Sequence, residues 1–188
     1  MRKLFFTAVV AVVMMTSMNA QTFGVKAGAN FANFTGSAIG DTSMKIGAYL
    51  GGFVDFEVSD EFSVQPELVF SMQGAQDSND SAFKMNLNYL NLPVMAKYEV
   101  AEGFSLVAGP QIGFLLSAKI SDGDNSTDIK DNLKGIDFGL GFGAEYELES
   151  GLQFSARYNL GLSSLDDTGS NQDVKNGVIQ VGLGYSFN

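Results

Sequence analysis

The 188-residue chain contains no His and no Cys, the two residue types that most often carry chemistry in enzymes. Without them a Ser–His triad, a thiolate nucleophile and the usual Zn²⁺ sites cannot be built. The chain carries 21 Asp and Glu against 11 Lys and Arg, a formal net charge of −10. This negative surplus disfavours a nucleic-acid partner, since nucleic acid is bound through basic surfaces. We therefore expect no enzyme and no cofactor, with an unconventional Asp- or Ser-based site as the one catalytic alternative.

Nine charged residues lie at polar positions of predicted β-strands, where they could face one another. They are Lys26, Asp55, Glu57, Glu67, Lys97, Glu99, Asp137, Glu145 and Arg157. Buried charges persist when they are paired and hydrogen-bonded, so we expect these side chains to form a salt-bridge network. Arg157 lies near the middle of its segment and is the predicted centre of the network. A gated ion path through the same residues is the alternative.

From Gln21 onward, the segments that would position these charges alternate between apolar residues and small or polar residues, with a period of two. In the first segment Phe23, Val25 and Ala27 share one face, while Gly24 and Lys26 share the other. Seven further segments repeat this alternation, and the last ends the chain. Such a period indicates β-strands, each with one apolar face and one small or polar face.

The lengths of the links between these segments distinguish a membrane barrel, surrounded by lipid, from a soluble β-protein, surrounded by water. Three short links, near 59–61, 101–103 and 148–151, alternate with four long polar ones, near 35–45, 74–86, 120–134 and 164–176. Outer-membrane barrels combine short periplasmic turns with longer external loops. The chain is therefore predicted to be all-β: an eight-stranded antiparallel up-and-down transmembrane β-barrel of OmpA/OmpX-like architecture. The alternative, a soluble sandwich or lipocalin-like barrel, needs a polar coat that these strands supply only on their Gly-rich face.

The N-terminus has the features of a secretory signal. Arg2 and Lys3 precede an apolar run from Leu4 to Met15 and a polar stretch that ends at Ala20. Residues 1–20 are accordingly predicted to be a cleaved signal peptide, and residues 21–188 the outer-membrane barrel domain. With eight strands and a long loop after the first, both termini are predicted to be periplasmic.

The predicted long loops contain ten Asp and no Glu. One run resembles the start of a calcium loop, with candidate oxygen ligands at Asp122, Asp124, Ser126 and Asp128. Thr127 stands where such loops place Gly, and Leu133 stands where they place the closing Glu, so only a weak Ca²⁺ site is expected. Solvated acidic loops are the simpler alternative.

The last strand resembles the C-terminal assembly signal of outer-membrane proteins, although Asn188 follows its final aromatic residue. The signal residues are Gln180, Gly182, Tyr185 and Phe187. The resemblance implies that the barrel-assembly machinery is a partner during biogenesis.

Four further stretches of the predicted strands are distinctive: Tyr89-Leu90-Asn91-Leu92-Pro93-Val94, Gly109-Pro110-Gln111-Ile112-Gly113, Asp137-Phe138-Gly139-Leu140-Gly141-Phe142-Gly143 and Ala156-Arg157-Tyr158-Asn159. Together they resemble the PorT-type outer-membrane β-barrel family of Bacteroidetes. The resemblance implies an outer-membrane barrel, but no single role, because some members belong to a secretion apparatus and many have no assigned task.

An eight-stranded barrel is just wide enough for side chains to fill it. We therefore expect a monomeric barrel that contacts outer-membrane lipid and acts as a structural or interaction element through acidic extracellular loops. Those loops would meet an extracellular ligand or a secretion partner. The alternatives are a narrow porin-like channel and an accessory component of an outer-membrane secretion system.

Overall fold

The computed structural model describes residues 21–36, 42–78, 82–123, 125–168 and 173–187. The predicted signal peptide lies outside these ranges, as do parts of the long loops. The described residues form nine strands and one short 3₁₀ helix, Lys130–Asn132. The strands are β1 Gln21–Gly36, β2 Thr42–Glu57, β3 Phe62–Asp77, β4 Phe83–Ala101, β5 Phe104–Asp122, β6 Asn125–Asp128, β7 Ile136–Glu147, β8 Leu152–Gly161 and β9 Val174–Phe187. No helix within the described ranges is long and apolar enough to span a membrane.

Eight of these strands close into a barrel. Each of β1 to β4 pairs with the next, β5 pairs with β7, and β7, β8 and β9 follow in order. Antiparallel pairing of β1 with β9, from Phe23–Phe187 to Gly36–Val174, closes the ring. The short β6 pairs with β5 beyond the ring, as the return strand of a hairpin. The predicted eight-stranded antiparallel barrel is therefore confirmed.

The polarity of the two strand faces is the reverse of that in a soluble protein, with the apolar face outside and the polar face inside. Large apolar side chains such as Ile46, Leu50 and Phe138 are exposed on the outer face, whereas Lys26 and Arg157 are buried inside. An apolar outer band with a polar interior suits strands surrounded by hydrocarbon, because no water there could solvate an outward charge.

The interior also holds aromatic side chains. Phe53 is buried, and the Lys26 Nζ atom lies 5.8 Å from its ring centroid, within the range of a cation–π contact. A Cβ atom at Gly24 would lie 2.1 Å from the Phe53 ring, so this glycine leaves room for it. The lumen is therefore not lined by polar residues alone.

We call the end of the barrel that carries the long loops the loop end. The strands extend to different distances at this end. β4 and β5 have 19 residues each, whereas β8 has 10. The loops that follow β6 and β8 are tied together through a Leu133–Asp166 bridge and a Lys134 N–H bond to the Leu165 carbonyl.

A buried cluster of apolar residues lies under these loops. We call it the apolar cap, and it consists of Leu87, Tyr89, Leu115, Ala118 and Leu165. Leu165 comes from the loop after β8, while the other four come from β4 and β5. Burial of a leucine side chain is worth about 1.5–3 kcal/mol, which holds this loop across the loop end.

Candidate functional site

Four charged side chains meet in the middle of the lumen. Arg157 donates from Nη1 to Glu67 Oε2 at 3.0 Å and from Nη2 to Glu67 Oε1 at 2.8 Å, and Nη2 also reaches Glu145 Oε1 at 3.0 Å. Lys26 Nζ lies 3.0 Å from Glu67 Oε1 and 3.5 Å from Glu145 Oε1. We call these four residues the central ion cluster. Its two cations and two carboxylates balance, which is the condition for keeping charges buried.

Glycines on β7 make room for this cluster. A Cβ atom at Gly141 would lie 2.7 Å from the Asn159 side-chain oxygen and 3.4 Å from Cδ of Arg157. A Cβ atom at Gly143 would lie 2.1 Å from the Ala156 carbonyl oxygen. The inward Gly run of β7 is therefore needed for the long side chains of β8 to cross the lumen.

A layer of neutral polar side chains fills the lumen next to the cluster. Gln180 donates to Asn30 at 2.9 Å, Asn30 donates to Ser71 at 3.0 Å, and Asn159 donates to Gln180 at 2.8 Å. These residues come from β9, β1, β3 and β8, so the chain of hydrogen bonds extends across the barrel.

A second group of charges lies towards the short turns, at what we call the turn end. Lys97 Nζ is 3.3 Å from Asp55 Oδ2 and 3.2 Å from Glu147 Oε2, and Gln153 donates to the same Glu147 oxygen at 2.9 Å. Glu147 was not among the predicted site residues. The alternation that placed Glu145 inside extends two residues further, which was the available signal for Glu147.

Of the remaining three predicted network residues, Glu57 and Glu99 line the same turn-end cavity as the second group, while Asp137 lies apart from both groups. Asp137 accepts hydrogen bonds from Ser163 and Asn176, and Glu99 accepts one from the Gly103 N–H. Glu57 is exposed at the turn end. Asp137 and Glu145 are eight residues apart on one strand, about 26 Å at the rise of a β-strand. The nine predicted residues therefore do not form one continuous set of ion pairs: four make up the central ion cluster, Lys97 and Asp55 pair at the turn end, and Asp137 lies apart from both.

The candidate calcium segment forms a β-hairpin. Ser126 and Asp128 lie on β6, which pairs with β5 up to Asp122, and Asp124 lies outside the described residues. Asp128 accepts the Lys130 N–H at 2.9 Å. The described ranges contain no group of three or more Asp or Glu placed to hold a metal ion. The described part of this segment is extended rather than wrapped around an ion.

The four residues of the C-terminal signal lie on β9, the strand that closes the barrel. Tyr185 and Phe187 are exposed on the outer face, with ring centroids 5.5 Å apart in an edge-to-face arrangement. Gln180 and Gly182 are on the opposite face, and Gln180 belongs to the polar layer described above. Their role in assembly stays a prediction.

An ion-paired interior inside an apolar outer band defines a membrane-spanning β-barrel of the outer-membrane class. Residues 19–167 match the family described as outer membrane protein beta-barrel domain, and the chain belongs to this family. A comparison with curated proteins gave no significant match.

Solved structures with the same fold cover most of the chain. Ail, the attachment invasion locus protein of Yersinia pestis, is 19% identical over 90% of this chain and 100% of its own, with a TM-score of 0.56. Neisserial surface protein A is 13% identical over 90% and 100%, with a TM-score of 0.62. A major outer membrane protein from Thermus thermophilus is 16% identical over 90% and 100%, with a TM-score of 0.51. At these identities the similarity supports the fold alone.

Proposed function

We propose that this protein is a non-enzymatic outer-membrane barrel with a closed lumen, which binds a partner through its acidic loop end. In this proposal both termini are periplasmic and the long loops are extracellular. The observation that carries the proposal is the filled lumen: the central ion cluster, the polar layer and the apolar cap follow one another along the barrel.

The contents of the lumen favour a closed barrel over the narrow-channel alternative. Arg157 is buried and makes three hydrogen bonds to two carboxylates, so displacing it would leave charges without partners. A solute that passed this cluster would still meet the apolar cap at the loop end. With the interior occupied, the loops are the part of the molecule left to bind a partner.

The charge of the loops favours a basic partner. The four predicted long loops contain ten Asp and five Lys, a formal charge of −5. Ail, which has the same fold, has been solved in complex with the heparin analogue sucrose octasulfate, a polyanion. The loops of this chain are negatively charged and would repel such a polyanion, because like charges across an interface oppose association. They therefore favour a positively charged partner.

The same proposal places the chain among the PorT-type barrels. In support, the four stretches that resemble this family lie side by side on neighbouring strands. Asn91 pairs with Gly113, Gly109 pairs with Gly141, and Gly141 pairs with Asn159. The stretches thus form one band across β4, β5, β7 and β8. A secretion role would require a partner subunit, which co-purification from native membranes would reveal.

Topology can be tested by cysteine labelling, because the native chain has no Cys. Ser126→Cys lies at the loop end and Ser59→Cys in a short turn, and both positions are exposed. We expect a membrane-impermeant maleimide to label the first variant on intact cells and the second only after the outer membrane is permeabilised. The reverse pattern would contradict the proposed orientation.

The choice of partner can be tested with probes of opposite charge. We expect the folded protein in nanodiscs to bind lysozyme, a basic globular protein, at low salt and to show no binding of heparin. The double variant Asp122→Asn/Asp131→Asn should weaken lysozyme binding several-fold. The matched variant Asp60→Asn/Glu61→Gln removes the same charge from the turn end and should have a smaller effect. Heparin binding, or equal losses in both variants, would contradict the proposal.

A further inference from the structure

A cavity opens on the outer surface of the barrel near the turn end, across β7 and β8. Its volume is about 450 Å³, within the range of about 300–1,000 Å³ that small-molecule sites occupy. Ala144 and Ala156, which pair across the two strands, form its floor. Glu145 and Ser155 also border it, but their side chains face the lumen. Larger outward side chains surround the floor, and they are Phe104, Tyr146, Phe154, Val181 and Leu183. We call this cavity the outer notch.

The strand register explains why a notch forms at this place. One row of large outward side chains crosses four strands at the turn end, and it consists of Phe104, Tyr146, Phe154 and Leu183. Phe142 and Tyr158 form a second ring pair four residues further along β7 and β8, about 13 Å away at the rise of a β-strand. Their ring centroids are 5.5 Å apart in an edge-to-face arrangement. The alanine pair lies between these rings and carries only methyl groups, so the surface is lower there than on either side.

The position of the outer notch determines what fills it. It lies in the apolar outer band, where the surrounding medium is hydrocarbon. A hydrocarbon chain that enters it from the lipid gains little from the hydrophobic effect, because lipid tails are as apolar as the lining side chains. The chain does gain van der Waals contact with the methyl floor and the ring walls, which a smooth outer surface offers less fully. The notch therefore fits an acyl chain of a membrane lipid.

A second cavity, which we call the turn cleft, adjoins the outer notch at Tyr146, a residue that lines both. The turn cleft lies between the short turns after β4 and β7, and four Glu and one Lys line it. The lysine, Lys97, is already paired with Glu147. Glu102 and Glu149 are exposed and form no ion pair with any residue that the structure describes. The water-facing end of the notch is therefore negatively charged.

This charge distinguishes between lipid headgroups. Glu102 and Glu149 would repel a headgroup of net negative charge and attract one that carries an amine. A primary ammonium has three N–H donors for carboxylate oxygens, whereas a quaternary ammonium has none. Tyr146 suits the boundary between hydrocarbon and headgroups, because its ring is apolar and its hydroxyl group is polar. The notch and the cleft together match a lipid with an apolar tail and a primary ammonium at its head.

We propose that the outer notch binds one phospholipid whose headgroup carries a primary ammonium. One acyl chain lies over Ala144 and Ala156, and the ammonium group contacts Glu102 or Glu149 in the turn cleft. This site is separate from the loop end, so it does not depend on the function proposed for the loops. It is also independent of which leaflet of the membrane meets the turn end.

The test is native mass spectrometry of the folded barrel, released from a mild non-ionic detergent after addition of one phospholipid. Phosphatidylethanolamine, phosphatidylcholine and phosphatidylglycerol with identical acyl chains carry a primary ammonium, a quaternary ammonium and no amine. We expect one molecule of phosphatidylethanolamine to stay bound at several-fold higher occupancy than either of the other two. Equal retention of all three lipids, or retention of none, would overturn the proposal.

Two alanine variants locate the acyl chain. Ala156→Leu fills the outer notch and should lower the retention of phosphatidylethanolamine several-fold. Ala48→Leu adds the same atoms at another exposed alanine, which pairs with Ala29 across β1 and β2, and should change retention little. Both positions face lipid, so neither variant disturbs the packing of the lumen. Equal losses in the two variants would overturn the notch as the site.

Two double variants of matched charge test the headgroup contact. Glu102→Gln/Glu149→Gln should remove the preference for phosphatidylethanolamine over phosphatidylcholine, because the ammonium group loses its carboxylates. Asp60→Asn/Glu61→Gln removes the same charge from another turn at the same end and should keep the preference. If both double variants lose it equally, the preference reflects net charge alone and the proposal is overturned.

Phosphatidylethanolamine with a nitroxide on its acyl chain gives a readout that needs no variant. Added in small amounts to the native barrel, it should broaden the amide NMR signals of Ala144 and Ala156 before that of Ala48. Equal broadening at the three alanines would show ordinary contact with bulk lipid and would overturn the proposal. Earlier broadening at Ala144 and Ala156 supports the notch whatever the loops bind.

Discussion

At the scale of single residues, Arg157 is the centre of the ion pairing in the lumen. Its guanidinium group binds both oxygens of Glu67 and one oxygen of Glu145, and all three side chains are buried. A charge in this setting is held by its partners rather than by water, so removal of one partner exposes the others to the full desolvation penalty.

Arg157→Ala should therefore destabilise the folded barrel by about 3–5 kcal/mol, because Glu67 and Glu145 would be left with Lys26 as their shared cation. Urea-induced unfolding in lipid vesicles measures this change. The control is Lys175→Ala, which removes a partly exposed pair with Asp173 and should change stability by less than about 1 kcal/mol. A similar loss in both variants would contradict the structural role of Arg157.

Gly143 offers a second test at this scale. Gly143→Ala should destabilise the barrel by about 1–3 kcal/mol, since the new methyl group would meet the Ala156 carbonyl oxygen and the Arg157 Cα atom. Gly135→Ala is the control, because no heavy atom lies within 4 Å of its added Cβ. The same unfolding experiment distinguishes the two variants. Equal stability of both would show that the inward glycines are not required to make room for neighbouring atoms.

At the scale of elements, the alternation along the strands accounts for most of what could be predicted. Lys26, Glu67, Glu145 and Arg157 all lie on the predicted inner face because a period of two fixes the side of every residue. The pattern does not fix distance along the barrel axis, which is why it groups Asp137 with charged residues that it does not contact. The buried ring of Phe53 departs from the pattern, because the alternation predicts a small or polar residue on the inner face.

The loop elements were the least predictable. Residues 120–134 were expected to be a loop, yet β5 continues to Asp122 and β6 pairs back onto it. These strand ends are polar on both faces, as expected where a hairpin extends beyond lipid into water, so their hydrophobic pattern gives no signal. The role of Leu165 depends on contacts with β4 and β5, which no local pattern encodes.

Leu165 provides the test at this scale. Leu165→Ala should free the loop after β8 from the apolar cap, and a broad-specificity protease should cleave residues 162–168 several-fold faster in the folded protein. Leu162→Ala lies on the same loop at an exposed position and is the control. Cleavage at the same rate in both variants would show that the cap does not hold the loop.

At the scale of the whole molecule, the barrel separates three environments. Lipid surrounds the apolar outer band, ion pairs and polar side chains fill the interior, and acidic surfaces face the two aqueous ends. The contents of the lumen distinguish a closed interaction element from a channel, because the fold alone is compatible with both functions.

Single-channel recording in planar bilayers tests this central claim most directly. The filled lumen predicts no steady ohmic current through the native protein, while Arg157→Ala, if it folds, is expected to admit brief or small currents because the central ion cluster is broken. A steady ohmic conductance of the native protein that changes in Arg157→Ala would contradict the closed lumen and establish an ion path through the cluster.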